Sequence, residues 1–151
     1  MAEHVWTIVC YKSLVDDSNI VSLIDVAERL ILHPLQESES VEESLEKVRA
    51  EGKKGVFFPV TLRLVTHWVR SEWGVAESAK MRVSLVDPSG ENLLEQEQEI
   101  ALVNFIGSRL TMNFDAFRVT TLGYYWFEVE RESNGQWERV ARIPLEIIAD
   151  A

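Results

Sequence analysis

The stretch Leu122–Ile148, LGYYWFEVERESNGQWERVARIPLEII, reads as one β-hairpin and decides the fold class. Tyr125, Phe127 and Val129 alternate with Trp126, Glu128 and Glu130, the period of two that marks a strand buried on one face. The run stops at Ser133-Asn134-Gly135-Gln136, where Asn-Gly supplies the two positive-φ residues of a type I′ turn. Mirroring the chain about that turn sets Val129 opposite Val140 and Glu130 opposite Arg139. Strict register would then set Phe127 against Arg142, a charge that a core does not accept unpaired. One extra residue near Ala141, a β-bulge, instead pairs Phe127 with Ile143, Tyr125 with Leu145 and Glu128 with Arg142. The hairpin therefore predicts its own irregularity.

Working outward, the rest of the chain supplies further strands. Val5, Thr7, Val9 and Tyr11 alternate with Trp6, Ile8 and Cys10, apolar on both faces and so expected at a sheet centre. Trp6 and Trp68 are assigned to the core. Residues 20–32 read as one strand ending at His33-Pro34, with Ser22, Asp25 and Glu28 needing bulges or a wet face. From Phe57 onward, Val60, Leu62, Leu64 and Trp68 face one way and Thr61, Arg63, Val65 and His67 the other. Met81, Val83 and Leu85 form the next inward row, and Asp87-Pro88-Ser89-Gly90 is a turn with Pro and Gly where a type I turn favours them. The return strand, residues 91–103, turns Glu95, Glu97 and Glu99 to solvent. Leu110, Met112 and Phe114 alternate next, and residues 115–122 are expected to loop into the final hairpin. About eight strands with frequent turn signals predict an all-β fold, a two-layer antiparallel β-sandwich.

Residues 34–55 differ in character. Ser40-Val41-Glu42-Glu43 matches a capping box, and Val41, Leu45 and Val48 recur at helical spacing up to Gly52. The expectation is a single domain over residues 1–151 carrying a short acidic helical insertion. A helix of ~12 residues is marginal alone, so the insertion is expected to be dispensable to the sandwich.

Composition narrows the function. The chain has 25 acidic and 15 basic residues, a net charge of −10, in 151 residues. Such a surface repels nucleic acid and anionic lipid unless its basic residues are sharply segregated, and Lys53-Lys54 is the only adjacent basic pair; nucleic-acid binding is not expected. No apolar run approaches the ~20 residues of a membrane span. The amino terminus has neither a basic nor an apolar leader region, and the lone Cys10 suits a reducing compartment, so a cytoplasmic protein is expected.

Four segments together carry a resemblance: Ala2-Glu-His-Val, Asn19-Ile-Val-Ser-Leu-Ile-Asp-Val, Leu85-Val-Asp-Pro-Ser-Gly-Glu and Leu122-Gly-Tyr-Tyr-Trp-Phe-Glu-Val. The chain resembles an uncharacterised family of small bacterial β-sandwich proteins, a domain of unknown function with immunoglobulin-like or C2-like character. The resemblance covers most of the chain outside residues 34–55. It implies a sandwich and carries over no catalytic residue.

Site chemistry is sparse. His4, His33 and His67 share no ligand spacing, and Cys10 has no Cys-x-x-Cys partner. Asp16, Asp17, Asn19, Asp87 and Asp115 are the candidates for calcium, yet they form no Asp-x-Asp-x-Asp run, and such residues commonly bond their own turns. Gly-x-Ser-x-Gly, the P-loop and Gly-x-Gly-x-x-Gly are all missing. No metal, cofactor or catalytic group is expected, and the protein is not expected to be an enzyme. Five tryptophans, by contrast, exceed what a sandwich interior needs. The bulged register places Trp126 across from Pro144 with Tyr124 beside it. These three residues are the candidate binding patch, unless the helix covers them with Val41, Leu45 and Val48. A non-catalytic module that binds a protein partner or itself is the leading expectation. The alternative is a carbohydrate-binding module that stacks sugars on exposed tryptophans.

Overall fold

The computed structural model describes residues 1–150, and the hairpin is the place to start. Strands β8 (Gly123–Ser133) and β9 (Gln136–Ala149) meet at Asn134 and Gly135, whose φ angles are 52° and 78°. Phe127 pairs with Ile143, Tyr125 with Leu145 and Trp126 with Pro144, as the bulged register requires. The extra residue is Val140 rather than Ala141, so Val129 faces Ala141 and not Val140.

Two sheets pack face to face. One has the order β3-β9-β8-β5-β6, built from β3 (Arg29–Leu32), β5 (Glu77–Val86), β6 (Asn92–Leu102) and the hairpin. The other has the order β2-β1-β4-β7, from β1 (Glu3–Val15), β2 (Val21–Val26), β4 (Val56–Val69) and β7 (Gly107–Val119). The fold is a β-sandwich of nine strands, antiparallel except where β3 runs parallel to β9.

Three sequence expectations are corrected. The segment from Ile20 to Leu32 is two strands in different sheets. Asp25 adopts φ 56°, and the chain then crosses the edge of the sandwich at Ala27 and Glu28. The crossing is held at both ends: Ala27 N–H donates to the Val9 carbonyl at 2.8 Å, and Glu146 N–H donates to the Glu28 carbonyl at 3.1 Å. Residues 115–119 continue β7, pairing with the start of β4, and the loop shrinks to Thr120–Leu122. Trp6 lies outside the core. It shares the outward face of β1 with Ile8 and Cys10, and its ring pairs with His67, 5.5 Å away between centroids.

Inward rows from both sheets fill the interior: Leu62, Leu64, Trp68, Met112 and Phe117 on one side, Met81, Val83, Ile100, Tyr125, Phe127 and Leu145 on the other. Phe127 contacts Phe114 and Phe117 across the sheets at 5.5 and 6.4 Å between centroids. Such offset and tilted aromatic contacts add to simple area burial. Trp68 satisfies its indole N–H on Thr66 Oγ1 at 2.9 Å, so a wholly buried tryptophan leaves no polar group unpaired.

Helix α1 (Val41–Ala50) carries the capping box, with Glu43 N–H donating to Ser40 Oγ at 3.1 Å and Ser40 N–H donating to Glu43 Oε2 at 3.2 Å. Its end closes in a Schellman arrangement, in which Lys53 N–H donates to Val48 O and left-handed Gly52 (φ 77°) donates to Arg49 O. The apolar stripe does not cover the Trp126 face. Val41 and Leu45 are buried in the main core, and Arg49 Nη2 donates to Thr120 O beside the loop before β8. The helix plugs one end of the sandwich. Its stripe buries against the core rather than against solvent.

Candidate functional site

The outer surface of β8 and β9 follows from the hairpin register. Trp126 stands between Val86 of β5 and Pro144 of β9, and Tyr124 lies next to it opposite Glu146. Tyr124 is 55% exposed, Pro144 is exposed and Trp126 is half-buried. What covers Trp126 is Arg142, whose guanidinium lies 3.7 Å from the ring centroid. Glu128 faces Arg142 across the pair and forms an ion pair with it, Oε1 lying 3.5 Å from Nε. Trp137 is covered in the same way by Arg82, 4.4 Å from its ring. Aromatic faces attract guanidinium groups through their negative quadrupole, and desolvation strengthens the contact.

Tyr124 and Pro144 also form a wall of a groove of about 700 Å³. Its other walls are Ile8 of β1, Val26 and Ala27 of the crossing segment, and Ile143 of β9. Glu28, Arg29 and Glu146 stand at one end, where Arg29 Nη2 and Glu146 Oε2 are 3.0 Å apart.

Two strand edges border this groove. β1 pairs with β4 along Glu3–Cys10 but with β2 only from Cys10 onward, so its first half has no second neighbour. β9 pairs with β3 only over Glu146–Ala149, so the part before it is likewise open on that side. The Val9 carbonyl points to the β2 side, and alternation aims the N–H and C=O of Thr7 the same way, into the open edge. Glu146 N–H points to β3, so the nitrogen of Pro144 faces the open edge of β9. Proline there removes a donor that would otherwise invite pairing, a common guard on edge strands. The β1 edge has no such guard.

The other candidates do not converge. His4 bonds Thr7 Oγ1 at 2.7 Å, His33 meets Asp150 at 2.9 Å, and His67 packs against Trp6 with the rings tilted by 55°. Asp16 Oδ1 accepts from Ser18 and Ile20 N–H, both at 2.9 Å. Asp87 is buried, with Oδ1 accepting from Ser89 and Glu91 and Oδ2 accepting from Thr120 Oγ1 at 2.7 Å. Burial alone would raise the Asp87 pKa, but these hydrogen bonds prevail and hold it below the ordinary aspartate value. Thr120 N–H in turn donates to the Tyr125 hydroxyl at 2.9 Å, which donates to Thr121 O at 2.6 Å. These aspartates hold turns. Among the described residues no three His, Cys, Asp or Glu side chains group as a metal ion would require, and no helix is long and apolar enough to cross a membrane.

Of the three residues expected from sequence, the structure places Tyr124 and Pro144 in the groove wall and Trp126 outside it, under Arg142; the walls opposite were missed. Val26, Ala27 and Arg29 were hidden by reading residues 20–32 as one strand, although the polar breaks at Asp25 and Glu28 signalled a crossing. Arg142 over Trp126 was readable, because the predicted register already made them diagonal neighbours on one face.

Fold and groove together define a nine-stranded β-sandwich with an apolar edge groove. No protein-family model matches the chain, and no curated protein matches it. Among solved structures it is similar to a glycosyl hydrolase family 2 member from Bacteroides cellulosilyticus DSM 14838, at a TM-score of 0.48 and 10% identity, over 58% of this chain and 12% of that one. A structure of a family 2 member from Bacteroides cellulosilyticus obtained from microfluidic crystals gives a TM-score of 0.48 and 11% identity over the same 58% and 12%. The chain thus spans 12% of the length of those enzymes. Similarity this slight bears on neither site nor activity.

Proposed function

We propose that this protein is a non-catalytic recognition module whose groove beside Tyr124 and Pro144 takes an extended segment of a protein partner. The observation that carries the proposal is the unguarded β1 edge along an apolar groove of about 700 Å³. An extended segment laid there would continue the four-stranded sheet in line with β2, ending against the crossing at Ala27. Main-chain bonds to Thr7 would supply affinity, and alternate side chains would enter between Ile8, Tyr124 and Pro144, the mode by which sheet edges commonly capture peptides. The sandwich's immunoglobulin-like or C2-like character belongs to the same proposal. It is supported by Tyr125, whose hydroxyl binds back to the Thr120–Thr121 backbone as a tyrosine corner does.

The carbohydrate-binding alternative is less well supported. A stacked sugar needs an open aromatic face, and Arg142 and Arg82 occupy the faces of Trp126 and Trp137. Selection from a display library of unstructured peptides tests the proposal. Wild-type protein should enrich extended apolar sequences, and Tyr124→Ala should lose at least about tenfold in affinity for them while its circular dichroism is unchanged. Enrichment that ignores Tyr124→Ala, or binding of an oligosaccharide panel that Trp126→Ala abolishes, would refute it. Sedimentation that shows dimers dissociated by Tyr124→Ala would make the occupant a second copy of this chain.

A further inference from the structure

A second groove, about 560 Å³, lies on the outer face of β4 and β7 and shares no residue with the first. The tip of the β1–β2 hairpin and Phe105 form its rim. Arg109 ties the hairpin to the sheet, its Nη2 donating to the Asn19 carbonyl at 2.9 Å and to Asn19 Oδ1 at 2.6 Å. Arg63 makes a second tie, Nη1 donating to the Ser13 carbonyl at 3.0 Å. Beneath them Val65 is 1% exposed although it lies on the outer side of the sheet.

The lining contrasts with the rest of the surface. The chain has 25 acidic residues, and none lines this groove. Among the described residues nothing accepts from Nε or Nη1 of Arg109; with Nη2 held by Asn19, these two donors point to different sides of the guanidinium and offer single hydrogen bonds. Ser108 and Thr111 add hydroxyls beside it. His67 stands at the wall against Gly107, where even a methyl group would come within 3.3 Å of its Nε2. Burial first, and the Arg109 charge second, lower the His67 pKa, so its ring is neutral at neutral pH and leaves Arg109 as the cation of the lining. Val15, Val21, Val65 and Phe105 supply apolar walls, with Val15 60% and Phe105 68% exposed.

We propose that this groove binds a carboxylate carried on a short apolar body, with Arg109 as its anchor. The guanidinium charge and a charge-assisted hydrogen bond from Nη1 would hold one carboxylate oxygen. The hydroxyls can take the remaining lone pairs, and the apolar walls match the body. A fully hydrated dianion such as inorganic phosphate fits these walls poorly, because it would lose water without gaining a second free cation. The volume lies within the usual range for small-molecule sites, ~300–1,000 Å³.

Two sources share this chemistry: a free small acid and the carboxyl terminus of a peptide ending in an aliphatic residue. Amide NMR of the full chain, titrated with 4-methylpentanoate and separately with acetyl-Gly-Gly-Leu, distinguishes them. Their amides serve as neutral controls. Both acids should move the Gly107 and Ser108 amides and the Trp6 indole signal, and the amides should not. Peptide affinity at least about tenfold above that of the small acid assigns a chain terminus; the reverse order assigns a free acid. Arg109→Gln should weaken the better acid at least about tenfold, the weight of a charge-assisted bond. Asn19→Ala, which removes the side-chain half of the hairpin tie but keeps the Arg109 charge, should retain binding within about threefold. If Arg109→Gln disorders the hairpin, Arg109→Lys decides: intermediate weakening supports a guanidinium anchor, and unchanged binding overturns it. Silence of the Gly107 and Ser108 signals, equal binding of acids and amides, or equal losses in Asn19→Ala and Arg109→Gln would each overturn the proposal.

Discussion

Replacing Leu45 by alanine tests whether the helix belongs to the core. Leu45 is 5% exposed and lies one turn from Val41, 1% exposed, with both in the main hydrophobic cluster. Truncating a buried leucine costs about 2–5 kcal/mol, with the spread set by how far the site collapses. Here the helix end borders a small cleft lined by Arg49, Lys54 and Thr121, whose long side chains can settle into the space. The lower half of the range follows, about 2–3 kcal/mol. For a chain of this length that corresponds to a fall of roughly 5–10 °C in Tm. Urea unfolding followed by circular dichroism should show the midpoint fall with an unchanged slope, since the surface exposed on unfolding barely changes. Glu46→Ala, on the exposed face of the same helix, should stay within about 0.5 kcal/mol. A Leu45→Ala midpoint equal to wild type would refute the plug and restore the helix as a loose insertion.

Phe127→Ala removes the aromatic contact of both sheets and should cost about 3–5 kcal/mol by the same assay; a midpoint near wild type would undo the hairpin register. Asp87→Ala should cost about 1–3 kcal/mol at neutral pH, because it removes the acceptor of several part-buried donors. The folded pKa of Asp87 lies below its unfolded value, so its stabilisation is full above about pH 4 and is lost as pH falls through the folded value. The gap between wild type and Asp87→Ala should therefore narrow in acid, and a gap constant down to about pH 2 would contradict the network. A double-mutant cycle on Trp126 and Arg142 should give a coupling of about 0.5–1 kcal/mol, whereas zero coupling would mean that the stack contributes nothing in solution.

The hairpin was legible because three signals agreed: alternation in β8, the Asn134-Gly135 turn, and a charge at Arg142 that forbade strict register. The capping box was legible because Ser40 and Glu43 bond only within their own turn. The helix's destination was not. Val41 and Leu45 state that one face is buried, but only the tertiary arrangement says against what. Residues 20–32 misled because a chain crossing between sheets keeps the apolar content of a strand on both sides of the crossing. Asp25 at φ 56° is the residue that breaks it. Of the candidate patch, the strand neighbours Trp126 and Pro144 were fixed by register. The groove was not, because it joins β1 to β9 across 130-odd residues by an edge that no local pattern records. Trp6 misled because both faces of β1 read as apolar; it shares the outward face with Ile8 and Cys10, opposite the inward Val9, and the shift before it turns only the preceding residues over.

The most direct measurement is amide hydrogen exchange at Thr7, made with and without a peptide selected on the wild-type protein. Its N–H points into the open edge of β1 beside the groove and has no strand partner there. The proposed function predicts fast exchange in the free protein and strong protection when the peptide is bound, with protection lost in Tyr124→Ala. A bound peptide that leaves Thr7 exchanging freely, while shifting residues elsewhere on the sandwich, would contradict it.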